Sequence, residues 1–216
     1  MRSVLALTAA TLALAACAAK QQRTEPTLAP LPSRPLAVFS TRRVIVLPTH
    51  FMRPADSLGW AAQVARPKEY LRSLDDQIAL ALGDRGVKDS WVFPEALARS
   101  ARRNAGFAAD PYALSLEFMR PPFKPSPERL LPDPFASQIR ALVALNDARY
   151  ALIPVELRFE PAGGGSGRAV LRVALVDARA TQVVYMGDVK SDSLPAFAPA
   201  LTASLAGHLA DLVATP

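Results

Sequence analysis

The fold of this chain is constrained most strongly by a change in hydrophobic spacing near residue 150. Towards the end of Tyr150–Phe159, apolar residues alternate with charged ones, which is typical of a β-strand. Two more strand-like segments follow at 169–176 and 182–189, after a glycine-rich run at 163–167 and a turn at 177–181. The pattern predicts three consecutive strands that form an antiparallel meander.

A proline in the first of these strands limits how that strand can pair. Pro154 has no N–H group, so it cannot donate to the hydrogen-bond ladder of a sheet. Its strand should therefore lie at an edge of the sheet or carry a β-bulge at this position. The strand order stays open between these alternatives.

Upstream of residue 150, strand patterns alternate with helix patterns. Arg42–Pro48 contains four consecutive aliphatic residues, which favour a fully buried strand. In several other segments the apolar residues recur with helical spacing. The order β-α-β-α-α-β-β-β-α predicts an α/β fold, a two-layer sandwich with a mixed β-sheet. We expect helices at about 69–85, 94–104, from 134 onward and 195–213, and a short strand at 90–93.

The first 17 residues carry the pattern of an export signal. Val4–Leu14 is a short apolar run that fits the core of a secretory signal peptide and is too short to span a bilayer. It ends in Leu-Ala-Ala-Cys at 14–17, which resembles the lipobox of bacterial lipoproteins. That resemblance implies that residues 1–16 are a cleaved signal peptide and that Cys17, the one cysteine in the sequence, is lipidated. The non-acidic Ala18 favours attachment to the outer membrane, facing the periplasm.

The rest of the chain divides into a tether and one domain. Residues 17–41 begin with the lipid anchor that the lipobox resemblance implies at Cys17, and their prolines and polar residues predict a proline-rich tether. Residues 42–216 are of a suitable length for a single α/β domain. Within it, weak periodicity and clustered prolines at about 105–134 predict an exposed insertion. We expect its proline-rich part, 120–134, to be dispensable for folding. This part, or a free edge of the sheet, is expected to bind a partner.

A hairpin near the carboxyl end carries a family resemblance. Leu175–Gly187 is similar to a hairpin in envelope lipoproteins related to the curli-secretion channel protein, in lipoprotein activators of penicillin-binding proteins, and in the amino-terminal domain of the Tol translocation protein. Gln182 and Tyr185 stand where these families usually have Gly and Trp. The strand ending at Pro48 and the segment Asp147–Tyr150 are also similar. The resemblance implies the same α/β fold and binding to another envelope component.

Groups that could support catalysis or bind a metal are few. The two histidines, His50 and His208, lie far apart and have no zinc-binding spacing. His50 follows the first strand, with Asp56 and Ser57 nearby, so a hydrolytic triad is one hypothesis. No nucleophile elbow of the Gly-x-Ser-x-Gly type accompanies these residues. We therefore expect no enzyme activity, no metal site and no cofactor.

Two further patterns have ordinary structural interpretations. Asp75 and Asp76 are adjacent on a predicted helix and point in different directions, so we expect a solvated helix face rather than an acid/base pair. Gly163–Gly167 precedes a strand instead of a helix, so it is interpreted as a hairpin connection and not as a phosphate-binding loop.

The sequence predicts a non-catalytic outer-membrane lipoprotein whose periplasmic domain binds another envelope component, in an assembly or activator role. The formal net charge of +6 is spread along the chain, which argues against a nucleic-acid partner. The alternative is an auxiliary lipoprotein of an ABC-type lipid-transport system, with an apolar groove for an acyl chain. Partner identity and oligomeric state stay open. The residues expected to contact a partner are Phe118, Arg120, Phe123 and Lys124 in the insertion, and Arg99, Arg102 and Arg103 on the second helix.

Overall fold

The computed structural model describes residues 34–126 and 128–214. The predicted signal peptide, Cys17 and most of the predicted tether lie outside this range. The strands are β1 (Val44–Val46), β2 (Phe51–Met52), β3 (Trp91–Val92), β4 (Tyr150–Gly163), β5 (Ser166–Asp177) and β6 (Gln182–Lys190). The α-helices are α1 (Pro67–Leu82), α2 (Pro94–Arg103), α3 (Phe135–Leu145) and α4 (Ala200–Asp211).

The six strands form one mixed sheet. Its order is β3-β1-β4-β5-β6, and β2 also pairs with β4. β1 runs parallel to β3 and β4, and β2 runs parallel to β4. β4, β5 and β6 pair antiparallel in chain order, so the predicted meander is confirmed. The α/β class and the element order are confirmed as well, with β2 as an additional short strand.

Pro154 lies in a central strand and is accommodated by a bulge. The register of β4 against β5 shifts at this position. Pro154 lies opposite Val173, whereas Glu156, two residues later, lies opposite Arg172. Val155 is the extra residue on β4, and the ladder needs no N–H from the proline here. Of the two alternatives that the sequence left open, the bulge is therefore the correct one.

Helices cover both faces of the sheet, so the fold has three layers where the sequence predicted two. α1 and α4 pack on one face, against alternate residues of β5, which are Leu171, Val173 and Leu175. α2 and α3 pack on the other face, against residues such as Ile45 and Ile153. The physical reason is the continuous apolar run of β1, which leaves neither face of that strand polar.

The folded domain begins before residue 42. Leu36 is fully buried, and its backbone N–H donates to the carbonyl oxygen of Leu212 at 3.1 Å. A short 3₁₀ turn at Ala37–Phe39 follows, and Phe39 packs edge-on against Tyr150 with ring centroids 4.9 Å apart. The predicted end of the tether at residue 41 is therefore wrong. The residues from Arg34 onward belong to the domain.

The segment 105–134 is less exposed than predicted. It contains two 3₁₀ turns, at Pro111–Ala113 and Glu117–Met119, and it packs beside α2 and α3. Because these apolar residues follow neither a helical nor a strand period, the sequence pattern did not reveal them. The second core is the one that lies between the sheet and the helices α2 and α3, and five side chains of this segment are buried in it: Ala108, Leu114, Leu116, Met119 and Leu131. Phe123 is buried as well.

The helix predictions hold to within a few residues, except at the carboxyl end. Gly86 adopts a positive φ of 80° just after α1, as a helix-ending glycine does. Asp133 caps α3 by accepting the backbone N–H of Ser137 at 3.0 Å. α4 starts at Ala200, five residues later than predicted, after Pro195 and Pro199. Within the described ranges, no helix is both long and apolar enough to cross a membrane.

Candidate functional site

A buried carboxylate links the end of β1 to the middle of α1. Thr49 donates to Oδ1 of Asp75 twice, from its backbone N–H at 2.9 Å and from its hydroxyl at 2.6 Å. The side chain of Asp75 lies on the same helical stripe as Leu71 and Ile78, and the residue is only 5% exposed. The prediction of a solvated side chain is therefore wrong for Asp75, whereas Asp76 is exposed as predicted.

The second oxygen of Asp75 has no hydrogen-bond donor. Oδ2 is buried and without a partner in the described part of the chain. Burial raises the pKa of Asp75 to about 7, although the two hydrogen bonds from Thr49 act to lower it and the negative charge of Asp76 adds to the rise. Near neutral pH, Asp75 is thus a carboxyl group that can gain or lose a proton.

His50 lies next to Thr49 and presents a second unpaired acceptor. Its ring donates to the carbonyl of Pro111, and its Nε2 is buried without a partner among the described residues. Since Nε2 is unpaired, the donating nitrogen is Nδ1. Burial lowers the pKa of His50 to about 4, against the smaller opposing effect of the bond to Pro111. The imidazole is therefore neutral at neutral pH.

The hypothetical hydrolytic triad is not assembled. The Asp56 carboxylate accepts the backbone N–H groups of Leu58, Trp60 and Ala61 at 2.8, 3.2 and 2.7 Å, so it orders a local turn. No hydrogen bond joins it to His50 within the described ranges, and Ser57 is exposed. This arrangement gives His50 no activated nucleophile.

These polar groups line a pocket of about 200 Å³. Its walls come from the β1 end, from α1 and from the 3₁₀ turn that carries Tyr112. The lining side chains are those of Thr49, His50, Lys68, Leu71, Arg72, Asp75 and Tyr112.

A larger groove of about 750 Å³ adjoins the pocket and shares Arg72, Asp75 and Tyr112 with it. The groove lies between α1 and α2 and is lined by both of these helices. Eight of its lining residues carry charged side chains, which come from α1, α2 and two flanking loops. These eight residues are Arg72, Asp75, Asp76, Lys88, Glu95, Arg99, Arg102 and Asp110.

Two of the three arginines predicted on α2 lie at this groove. Arg99 and Arg102 line it, and Arg99 forms an ion pair with Glu95 one turn earlier. Arg103 is exposed but does not line the groove. Arg102 has no ion-pair partner within the described part of the chain, so its guanidinium is free to bind.

The predicted contact residues of the insertion occupy different environments. Phe123 is 8% exposed, and Phe118 is half-buried against it and against Phe135, with ring centroids 6.1 and 5.2 Å apart. The prediction that these two rings are exposed is wrong, because Phe118 packs against the second core and Phe123 is buried beside Phe118. Arg120 is half-buried in an ion pair, and Lys124 is exposed.

Arg120 helps to neutralise a buried glutamate. Glu156 is 1% exposed, and its carboxylate accepts from Arg53 at 2.7 Å and from Arg120 at 2.8 and 3.0 Å. Burial acts to raise the pKa of Glu156, but the hydrogen bonds from Arg120 and Arg53, together with the positive charges of both arginines, outweigh it and hold the pKa below its ordinary value. Arg120 is thus a structural residue, because two of its nitrogens donate to Glu156.

Sequence reasoning missed most of the pocket. Thr49, Lys68, Arg72 and Tyr112 carry no motif, and they meet only through tertiary packing. The one available signal was the position of Asp75, four residues after Leu71 on the apolar stripe of α1.

Comparisons with known proteins give structural matches at low sequence identity. The LpoB C-terminal domain from Salmonella enterica is 13% identical with a TM-score of 0.36, and the match covers 72% of this chain and 83% of that chain. The E. coli LpoB NMR structure is 12% identical with a TM-score of 0.36, and covers 90% and 84%. The PelC dodecamer from Paraburkholderia phytofirmans is 14% identical with a TM-score of 0.39, and covers 85% and 95%.

LpoB is a penicillin-binding-protein activator lipoprotein, which is one of the groups that the hairpin at Leu175–Gly187 resembles. A scan against protein-family models and a search of curated proteins find no match.

Proposed function

We propose that this chain is a non-catalytic envelope lipoprotein whose α/β domain binds another envelope protein through the groove between α1 and α2. The observation that carries the proposal is the composition of that groove. Arg72 of α1 faces Arg99 and Arg102 of α2 across a space of about 750 Å³ that also contains acidic side chains.

A groove with four basic and four acidic side chains suits a polypeptide partner. Polypeptides present both charges, and guanidinium groups bind carboxylates through two parallel hydrogen bonds. Complementary charges of this kind set specificity and association rate. Tyr112 adds an aromatic side chain that is 40% exposed, with the guanidinium carbon of Arg72 5.6 Å from its ring centroid. Aromatic residues and arginines are enriched where proteins bind each other.

The same composition counts against the lipid-transport alternative. An acyl chain would have to cover the charged side chains of the groove and remove them from water, which is costly without compensating partners. A protein segment can supply those partners. The groove therefore favours the protein-binding function over the acyl-chain carrier.

Attachment to the outer membrane through Cys17 is part of the proposal, and it rests on the lipobox resemblance. Since the domain begins at about Arg34, the linker is shorter than the sequence alone predicted.

Site-specific photo-crosslinking in living cells tests the proposal. A photoreactive amino acid replaces Arg99 or Arg102 of α2 in the groove, or Ala203, an exposed residue of α4, which packs on the sheet face opposite to α2. We expect one envelope protein to be crosslinked from both groove positions and not from Ala203. Crosslinks from Ala203 alone, or none from either groove position, would overturn the proposed surface.

A further inference from the structure

The pocket beside Thr49 contains two hydrogen-bond acceptors that lack donors. Oδ2 of Asp75 and Nε2 of His50 are both buried and unpaired within the described ranges, and both residues line the same pocket of about 200 Å³. Buried polar atoms in native proteins are nearly always paired, so two orphaned acceptors at one pocket need an explanation. A ligand that donates hydrogen bonds would supply it.

The tautomer of His50 fixes which kind of ligand fits. Nδ1 carries the proton, because it donates to the carbonyl of Pro111. Nε2 is then a lone-pair acceptor, as is Oδ2 of an ionised Asp75. Both groups need an N–H or O–H donor, and the negative charge of Asp75 favours a cationic one.

The charges around the pocket also favour a cation. Burial raises the pKa of Tyr112, and the negative charges of Asp75, Asp76 and Asp110 raise it further, whereas Arg72 alone opposes them. Three negative charges and one positive charge thus act on the Tyr112 hydroxyl. The Tyr112 ring attracts cations and already has the Arg72 guanidinium over it, 5.6 Å from its centroid.

We propose that this pocket binds a primary ammonium group, that of a lysine side chain on the partner segment that occupies the adjoining groove. The inference rests on the proposed function for the identity of the partner. A primary ammonium has three donors, which is enough to supply one to Asp75 Oδ2 and one to His50 Nε2 and to leave the third in water. The shared lining residues Arg72, Asp75 and Tyr112 make the pocket continuous with the groove.

Lys68 is the competing cation in the chain itself. It lines the pocket, is exposed, and has no ion-pair partner within the described residues. Its ammonium would repel a second cation or occupy the pocket in its place. Lys68→Met should therefore strengthen the binding of an external ammonium group by at least about twofold.

Binding of a synthetic peptide to the full mature chain in detergent micelles tests the inference. The probe is acetyl-Gly-Gly-Lys-Gly-Gly-amide, followed through the amide resonances of Thr49 and His50. Two matched peptides carry Nε-acetyl-lysine, which lacks the charge, or trimethyl-lysine, which keeps the charge and lacks the donors. We expect both to bind at least about tenfold more weakly than the lysine peptide.

Two variants of α1 complete the test. Asp75→Asn keeps an oxygen for the two Thr49 hydrogen bonds and removes the charge, so we expect a fold that is retained and lysine-peptide binding at least about tenfold weaker. Glu69→Gln removes a carboxylate charge from an exposed position of α1 that lines neither the pocket nor the groove, and should change binding less than about threefold. If Asp75→Asn does not fold, the binding of the trimethyl-lysine peptide to the unaltered chain tests the inference instead.

Equal binding of the three peptides, or equal losses in the two variants, would overturn the inference. So would a preference for phosphatidylethanolamine vesicles over the lysine peptide, because the ammonium would then come from a lipid. If the lysine peptide binds but no partner crosslinks through Arg99, the proposed groove is wrong and the ammonium site stands. If a partner crosslinks through Arg99 but the lysine peptide does not bind, only the proposed ammonium site is wrong.

Discussion

Thr49 donates two hydrogen bonds to a single oxygen of Asp75, from its backbone N–H at 2.9 Å and its hydroxyl at 2.6 Å. The pair joins the end of β1 to the middle of α1, 26 residues later in the chain. Because both donors bind Oδ1, the other oxygen, Oδ2, has no hydrogen-bond donor among the described residues at the pocket. One structural contact therefore holds the sheet against a helix and also shapes the candidate binding site.

Asp75 and His50 should contribute to the pH dependence of stability with opposite signs. The pKa of Asp75 is raised from 3.8 to about 7, so the folded state holds its proton more tightly and its contribution to stability is lost as pH rises from about 4 to 7. The pKa of His50 is lowered from 6.5 to about 4, so its contribution is lost as pH falls through that range. In the unaltered chain the two effects largely cancel.

Single variants should expose each effect. Relative to the unaltered chain, the free energy of unfolding of Asp75→Asn should increase as pH rises from about 4 to 7, and that of His50→Asn should decrease as pH rises from about 4 to 6.5. Each slope can reach about 1.4 kcal/mol per pH unit. Urea unfolding across this pH range measures both. Two differences that stay constant with pH would show that neither group titrates as described.

The buried Glu156 should matter more than an exposed glutamate that contacts the same arginine. Glu156→Ala leaves Arg53 and Arg120 without their carboxylate and should lower the free energy of unfolding by about 1–3 kcal/mol, since both arginines can still reach water. Glu117 is exposed and pairs with Arg120 at 3.0 Å, so Glu117→Ala should cost less than about 1 kcal/mol. Equal costs in urea unfolding would contradict this description of the pair network.

Two adjacent leucines test whether the proline-rich segment is structural. Leu131 is 6% exposed in the second core, and its N–H donates to Thr181 at 2.8 Å, whereas Leu130 is 60% exposed. Leu131→Ala should lower the free energy of unfolding by about 2–3 kcal/mol, and Leu130→Ala by less than about 0.5 kcal/mol. Thermal melts of the two variants give the comparison. A negligible effect of Leu131→Ala on the free energy of unfolding would support the sequence-based prediction that residues 120–134 are dispensable for folding.

Lipidation of Cys17 remains a prediction from the sequence. Cys17→Ser should leave the precursor unprocessed or release the domain into the soluble periplasmic fraction, because no thiol is left to carry acyl chains. Cell fractionation and intact-protein mass spectrometry measure this. Unchanged membrane association, together with no acyl mass on the unaltered protein, would contradict the anchor.

The meander could be predicted, and the bulge could be named as one of two alternatives, because both depend on local properties of the chain. Alternation of apolar residues defines β4, and the missing N–H of Pro154 requires a bulge wherever its strand is central. The assignment of helices to the two faces could not be predicted in this way. The continuous apolar run of β1 indicates that both faces of this strand are covered, but which helices cover each face depends on tertiary packing.

The candidate site was the least predictable part, because its residues come together from distant positions. Asp75 looked solvated while its helix was considered alone, and it is buried because Thr49 supplies the hydrogen bonds. The start of the domain was misplaced for a similar reason, since Leu36 is ordered by a backbone bond to Leu212 at the other end of the domain. Arg99 and Arg102 were recognised as a possible binding surface, but α1 as their opposite wall was not.

The affinity of the crosslinked partner for variants with reversed charges tests the central claim most directly. Arg99→Glu with Arg102→Glu reverses two charges in the groove, and Arg103→Glu with Arg140→Glu reverses two exposed charges outside it. We expect the groove variant to bind the purified partner at least about tenfold more weakly by isothermal titration calorimetry, and the control to stay within about threefold of the unaltered chain. Equal losses for the two variants, or full affinity of the groove variant, would contradict a binding site between α1 and α2.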